Sequence, residues 1–178
     1  KSVLQDDIAY IYEGLKKELE ILEGKKILIT GGAGFLGYII VNFLADFFTC
    51  INKKGCHLYV MDNFSRGRKR WLDYLNEEHN ISVIEHNIIN EIPKELPEFD
   101  YIIHAASIAS PSFYRQFPIE TIDANITGIR NILNYARDRA NFKPLLGILY
   151  FSSSEVYGDP SPDNIPTLET YNGNVSFT

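Results

Sequence analysis

The sequence predicts an α/β fold, a doubly wound parallel sheet preceded by one extra helix. Three observations carry this expectation. Apolar runs suited to buried strands alternate with stretches of helical periodicity. One strand-to-helix junction is a glycine-rich turn. Small or polar residues collect at the carboxyl end of every predicted strand, where ligands of such sheets sit.

The elements follow in order. Leu4, Ile8, Ile11, Leu15, Leu19 and Leu22 recur at helical spacing, so residues 1–24 read as one amphipathic helix ended by Gly24, ahead of a domain spanning 25–178. Ile27-Leu-Ile-Thr30 is the first strand, and the turn Gly31–Gly37 leads into an apolar helix. Leu58–Met61 is the second strand and ends in Asp62. Arg66-Gly-Arg-Lys-Arg70 opens a helix through Trp71, Leu72 and Leu75, and Ile81–Ile84 is a short strand. Asp100–His104 is a buried strand that turns at Ala105-Ala-Ser107. Pro118 begins a long helix carrying Ile119, Ile122, Ile126, Ile129, Ile132, Leu133 and Tyr135. Leu145–Phe151 is another buried strand, and from Gly158 onward Pro, Asp, Asn and Ser mark a loop.

The bulk composition bounds the function. The 178 residues suffice for one sizeable core, and 45% hydrophobic with 22% charged residues is ordinary for a soluble globular chain. A net charge of −6 argues against a general nucleic-acid binder. Cys50 and Cys56 lack neighbours at metal-site spacing, so buried or idle thiols and no metal site are expected. No apolar run reaches the roughly 20 residues of a membrane span, and no signal-peptide pattern opens the chain. A cytoplasmic location is the expectation.

The glycines carry the first chemical inference. Gly31, Gly34 and Gly37 are spaced G-x-x-G-x-x-G, and Gly32, Gly34 and Gly37 satisfy G-x-G-x-x-G. One glycine permits the tight turn, another admits a phosphate close to the backbone, and the last allows close helix packing. Free N–H groups and the helix dipole then face an anion. Asp62 follows about 25 residues after Gly37, near the spacing at which an acidic residue meets an adenosine ribose. Strand, glycines, helix, strand and acid in this order predict a dinucleotide site of the Rossmann type. The carboxylate favours NAD over NADP, because a 2′-phosphate beside it is repelled.

With these features the chain resembles the extended short-chain dehydrogenase/reductases that act on nucleotide sugars, and among them most closely the UDP-glucuronate decarboxylases. The segments that carry the resemblance are Thr30-Gly-Gly-Ala-Gly-Phe-Leu-Gly37, Asp62-Asn-Phe-Ser-Arg-Gly-Arg-Lys-Arg70, His104-Ala-Ala-Ser-Ile-Ala-Ser-Pro111 and Ser152-Ser-Ser-Glu-Val-Tyr-Gly-Asp159. Tyr171-Asn-Gly-Asn-Val175 resembles the segment that precedes that family's catalytic tyrosine. The likeness runs from about Lys25 to the end of the chain. It covers the cofactor half only: the Tyr-x-x-x-Lys pair and the substrate lobe are absent, so this polypeptide is expected to bind NAD and turn over little.

The resemblance implies roles by position. The backbone around Gly31, Gly34, Phe35, Leu36 and Gly37 holds the NAD pyrophosphate. Asp62 binds the adenosine ribose, with Asn63, Ser65 and Gly67 beside it. Asn87, with Ile88 next to it, stands where the family has an aspartate touching the adenine amino group. Ala105, Ala106 and Ser107 line the middle of the cofactor, and Asn125 is a structural or cofactor-side residue of the long helix. Ser153, Ser154 and Glu155 are the implied catalytic residues. Ser153 bonds the sugar C4 oxygen, and Ser154-Glu155 replaces the Asp-Glu pair of the 4,6-dehydratases. The implied reaction converts UDP-glucuronate to UDP-xylose through a 4-keto sugar. The long helix with its isoleucine stripe implies a homodimer, although the stripe alone reads equally as core.

Other readings stay open: a 4,6-dehydratase, a 4-epimerase, or a non-catalytic NAD-binding module. Some GDP-mannose dehydratases also carry a Ser-Glu pair. Among single residues, His104 reads as packed rather than catalytic. Tyr12 and Lys16 imitate a Tyr-x-x-x-Lys pair but precede the first strand. Arg68, Lys69 and Arg70 read as a solvated helix start, and Tyr114 and Arg115 as surface or sugar contacts.

Overall fold

The computed structural model describes residues 2–50 and 55–175, without the side chains of Cys50 and Glu78. The chain begins with α1 (Val3–Leu15) and a 3-10 turn (Glu18–Leu22). Then come β1 (Lys26–Thr30), α2 (Phe35–Cys50), β2 (His57–Asp62), α3 (Arg70–Glu78), β3 (Ile81–Glu85) and β4 (Tyr101–His104). They are followed by α4 (Pro111–Gln116), α5 (Pro118–Arg139), β5 (Gly147–Tyr150) and two further 3-10 turns, Ser154–Tyr157 and Pro162–Asn164. The strands form one parallel sheet in the order β3-β2-β1-β4-β5. This is the expected α/β Rossmann-type architecture.

A parallel sheet is buried on both faces, and β1 shows it. Ile27 and Ile29 join one core with Val41, Phe43, Leu44, Phe47 and Phe48 of α2 and Leu72 and Leu75 of α3. Leu28 points the other way, into a second core with Ile88, Phe99, Ile102 and Ile132 and Tyr135 of α5. Residues 86–100 cross from β3 to β4 without a helix. Side chains of α5 tie this crossover down instead. Asn131 Nδ2 donates to the Ile88 and Asn90 carbonyls at 2.9 and 2.8 Å, and Tyr135 Oη donates to the Pro97 carbonyl at 2.9 Å.

The structure corrects three expectations. The single N-terminal helix is two elements. Ser2 and Gln5 form a reciprocal cap at its start, but α1 ends at Leu15 and the chain tightens into the 3-10 turn. With three residues per turn, Leu19 and Leu22 fall on one side and pack against the first core. The helix expected to open at Arg66 starts at Arg70, after a turn through Gly67 at φ 78°. The third correction is β5, expected to be buried. It pairs with β4 alone, and Leu149 and Tyr150 are 55% and 43% exposed. Beside it, on the α2 side of the sheet, lies a groove of about 340 Å³ lined by Ile21, Leu22, Leu44, Tyr101, Ile103 and Leu149, among others.

The isoleucine stripe divides. Ile132 and Tyr135 are buried and Ile129 packs on the second core, whereas Ile119, Ile122, Ile126 and Leu133 are each more than half exposed. Cys56 is buried, and its Sγ accepts the Gly24 N–H at 3.1 Å; the Cys50 side chain lies outside the described part. Among the described residues, no helix is long and apolar enough to cross a membrane.

One buried carboxylate holds the amino ends of β1 and β4 together. Asp100 accepts the Lys26 N–H at 2.8 Å and pairs with Lys143 Nζ at 3.1 Å. Burial pushes its carboxyl up, but the Lys26 N–H and the Lys143 ammonium outweigh this and hold it below the usual range. Asp100→Ala leaves that N–H without its acceptor. A loss of about 1–3 kcal/mol in urea unfolding at pH 7 is expected, and an unchanged midpoint would refute the bridge.

Candidate functional site at the carboxyl ends of the strands

The turn after β1 sits at the centre, because β1 is flanked by β2 and β4. Gly31 has φ 72° and donates its N–H to the Met61 carbonyl at 2.8 Å. A Cβ on Gly31 would lie 2.6 Å from the Ala106 backbone, so the turns after β1 and β4 touch there. A Cβ on Gly32 would strike Val60, and one on Gly37 would strike the Gly32 carbonyl. The glycine in the first turn of α2, Gly37, therefore packs against the turn itself. The first helical bond runs from Tyr38 N to the Gly34 carbonyl at 3.0 Å. That leaves the N–H groups of Phe35, Leu36 and Gly37 without an intrahelical acceptor. The Phe35 side chain is 93% exposed.

Asp62 ends β2 beside this cradle. Its Oδ2 accepts the Ala33 N–H at 3.0 Å and its Oδ1 the Phe64 N–H at 2.9 Å. Each oxygen keeps a lone pair for a ligand hydroxyl. Phe64 has φ 50°, which cost is tolerated because the turn around it is pinned. Asn63 Oδ1 accepts the Ser65 N–H at 3.0 Å, and Gly67 N donates to the Phe64 carbonyl at 2.8 Å. Arg68 pairs with Asp73 at 2.7 Å at the start of α3, which agrees with a solvated helix start.

The remaining residues divide by strand. Asn87 follows β3, and its Oδ1 accepts the Ile89 N–H at 3.3 Å. The Ile88 side chain is 5% exposed and belongs to the second core, so only its backbone is left to face the strand ends. Ala105 and Ala106 are half-buried and Ser107 is exposed after β4. Asn125, half-buried on α5, donates to the Thr121 carbonyl of its own helix at 2.7 Å. Ser153, Ser154 and Glu155 are exposed beyond β5, two strands from β1. Ser153 Oγ caps the 3-10 turn by accepting the Glu155 N–H at 3.2 Å. The returning chain braces that turn: Asn174 N donates to the Tyr157 carbonyl at 2.9 Å, and a Cβ on Gly158 would strike Asn174.

Beneath the site, His104 is 1% exposed. Its Nδ1 lies 2.6 Å from Thr30 Oγ1, its ring stacks on Tyr150 with centroids 5.5 Å apart, and its Nε2 has no partner. Burial pushes it down to about 4, so the ring is neutral at pH 7. It is a packed residue joining the ends of β1, β4 and β5. Lys16 pairs with Glu13 at 2.7 Å, and the Tyr12 ring lies 6.3 Å from that of Phe47, on a helix that precedes β1. Sequence reasoning missed α4, although Ser110-Pro111 is a helix-start signal, and missed Thr30 and Ala33, which act through a hydroxyl and a backbone N–H.

A family model described as the NAD dependent epimerase/dehydratase family matches residues 27–176. The chain belongs to that family. It is 39% identical over 151 residues to UDP-glucuronic acid decarboxylase 1 of Arabidopsis thaliana, covering 85% of this chain and 31% of that protein. It is 38% identical over 160 residues to UDP-glucuronic acid decarboxylase 1 of Xenopus tropicalis, covering 90% and 34%. The chain thus spans about a third of the length of these relatives. Among solved structures, it resembles a UDP-N-acetylglucosamine 4-epimerase from Methanobrevibacter ruminantium M1 in complex with UDP-N-acetylmuramic acid. The TM-score is 0.66 at 27% identity, over 86% of this chain and 45% of that one.

Two outcomes test this geometry. Gly37→Ala drives a Cβ into the Gly32 carbonyl and is expected to cost about 1–3 kcal/mol in urea unfolding; Gly34→Ala, at an exposed position, is expected to cost less. For His104, the folded state stays neutral down to about pH 4 while the unfolded state protonates near 6.5. Its contribution is complete above pH 6.5 and is lost as pH falls towards 4, by up to about 3 kcal/mol. His104→Gln should flatten that part of the stability–pH curve, and parallel curves would contradict the assignment.

Proposed function

We propose that the protein to which this chain belongs is an NAD-dependent decarboxylase of UDP-glucuronate, giving UDP-xylose, and that residues 25–178 are its cofactor domain. The observation that carries the cofactor reading is the cradle: glycines at 31, 32 and 37 where a Cβ would strike backbone or core, beside a carboxylate at the end of β2. A pyrophosphate fits against the backbone N–H groups of Phe35, Leu36 and Gly37. Asp62 then takes the adenosine ribose hydroxyls, with Asn63, Ser65 and Gly67 along the same side. Asn87 meets the adenine edge, and Ala105, Ala106 and Ser107 lie along the cofactor's middle. Asn125 supports that segment from α5. The likeness to UDP-glucuronic acid decarboxylases supports the choice of substrate.

Bound NAD⁺ supplies a reversible hydride acceptor for C4 of the sugar, whose 4-keto form is a β-keto acid that loses CO₂ readily. The chain's own part is orientation and proton handling. The Ser153 hydroxyl holds the C4 oxygen as it becomes a carbonyl. Glu155 positions the sugar near its carboxylate, and the repulsion between the two is relieved when CO₂ leaves. Ser154, in place of an acid, leaves a sugar hydroxyl without the proton that water elimination needs. The exposed stripe of Ile119, Ile122 and Ile126 supports a homodimer, with a second copy covering it.

The test uses the chain with whatever natural sequence flanks it, incubated with NAD⁺ and UDP-glucuronate and followed by NMR. A UDP-pentose with CO₂ release is the expected product. Epimerised UDP-sugar with its carboxylate intact would favour the 4-epimerase reading, which the 4-epimerase structure at 27% identity keeps in view. Ser153→Ala should lower kcat by about 10²-fold, whereas Ser153→Thr, which retains the hydroxyl, should recover most of it.

A further inference from the structure

A contact that the proposed reaction does not use joins the turn after β2 to α4, which follows β4. In the sheet order, β2 and β4 stand on either side of β1. Parallel neighbours lie about 4.8 Å apart, which puts β2 and β4 about 10 Å from each other. The turn after β2 and the segment after β4 therefore flank the cradle. They meet through Arg66 and Phe113: the guanidinium lies 4.9 Å from the centroid of the ring. An arginine side chain is long enough to cross most of that gap.

Both partners are aimed by their surroundings. Arg66 sits between Phe64 at φ 50° and Gly67 at φ 78°, in the turn held by the Asn63–Ser65 and Phe64–Gly67 bonds. Its neighbour Arg68 is turned away, over the Phe64 ring at 5.1 Å and onto Asp73. Phe113 is on α4 and stacks against Phe117, with ring centroids 6.5 Å apart. Phe113 remains 38% exposed and Arg66 is exposed, so the contact lies at the surface. A contact of this strength opens and closes without disturbing the core.

We propose that Arg66 and Phe113 form a clasp across the glycine turn, which sets how fast a dinucleotide enters and leaves the cradle. The proposal rests on the NAD reading given above. The clasp closes over the empty and the filled cradle alike, so it slows both directions. An exposed cation–π pair holds the closed form by a factor of about two to five over the open one. A residue that merely touched the diphosphate would change release and leave entry alone.

Stopped-flow NADH fluorescence on the chain with its natural flanking sequence separates these cases. Phe113→Leu keeps apolar bulk without a ring face, and Arg66→Gln keeps length without charge. Each is expected to raise the entry and release rates together, by about two- to fivefold, with little change in Kd. The double variant should be no faster than either single one. Unchanged rates in both variants would overturn the clasp, as would faster release in Arg66→Gln alone with entry unaltered. A wild-type protein that binds no NADH would remove the cofactor reading and the clasp with it, an outcome distinct from binding with unaltered rates.

Discussion

The strand ends are organised by one carboxylate. Asp62 accepts an N–H from Ala33 in the turn after β1 and another from Phe64 in the turn after β2. Two loops that would otherwise be independent are fixed by a side chain that both need. The glycine turn is fixed again from the other side, where Gly31 lies against Ala106. Spacing alone assigns Asp62 to a ribose, but its first task is to hold the cradle in shape. Charge loss there would disturb both turns, so a weaker-binding variant of Asp62 would not by itself report a ribose contact.

What was legible in the sequence followed from local rules. Apolar runs of strand length, a glycine pattern and an acid in order specify the β1–α2–β2 unit, because each feature answers a steric or electrostatic demand within a few residues. The misses have non-local causes. The exposure of β5 depends on its standing at the sheet edge, which the apolar run Leu145–Phe151 does not encode. The break after Leu15 reflects Leu19 and Leu22 being drawn onto the core against α2, where helical spacing continued without interruption. Beside the candidate site, the Ile88 side chain packs near Gly128 of α5, a partner some forty residues later that the local sequence does not name.

The two sides of the site differ in how they are built. On the β2 and β3 side, Asp62, Asn63 and Asn87 each accept a backbone N–H, and the turn after β2 carries positive φ angles at Phe64 and Gly67. On the β5 side, Ser153 to Glu155 are exposed and rest on one serine cap and the Gly158–Asn174 bridge. Preformed geometry lowers the ordering cost of binding, so the first side is suited to holding one ligand in one pose. The β5 side presents hydroxyls and a carboxylate on a short turn, an arrangement that further packing against it can adjust.

His104 connects these halves. It lies under the junction of β1, β4 and β5, bonded to Thr30 at the foot of the glycine turn and stacked on Tyr150 just before the Ser-Ser-Ser-Glu segment. A neutral, buried ring fills this junction without bringing a charge beneath the turns at the strand ends. A protonated ring there would attract anions but would lack water and a counter-ion, at a cost that burial makes prohibitive near neutral pH. The same residue that looks catalytic by type is thus better explained by what it keeps still: the relative position of the cradle and the turn that carries Ser153 and Glu155.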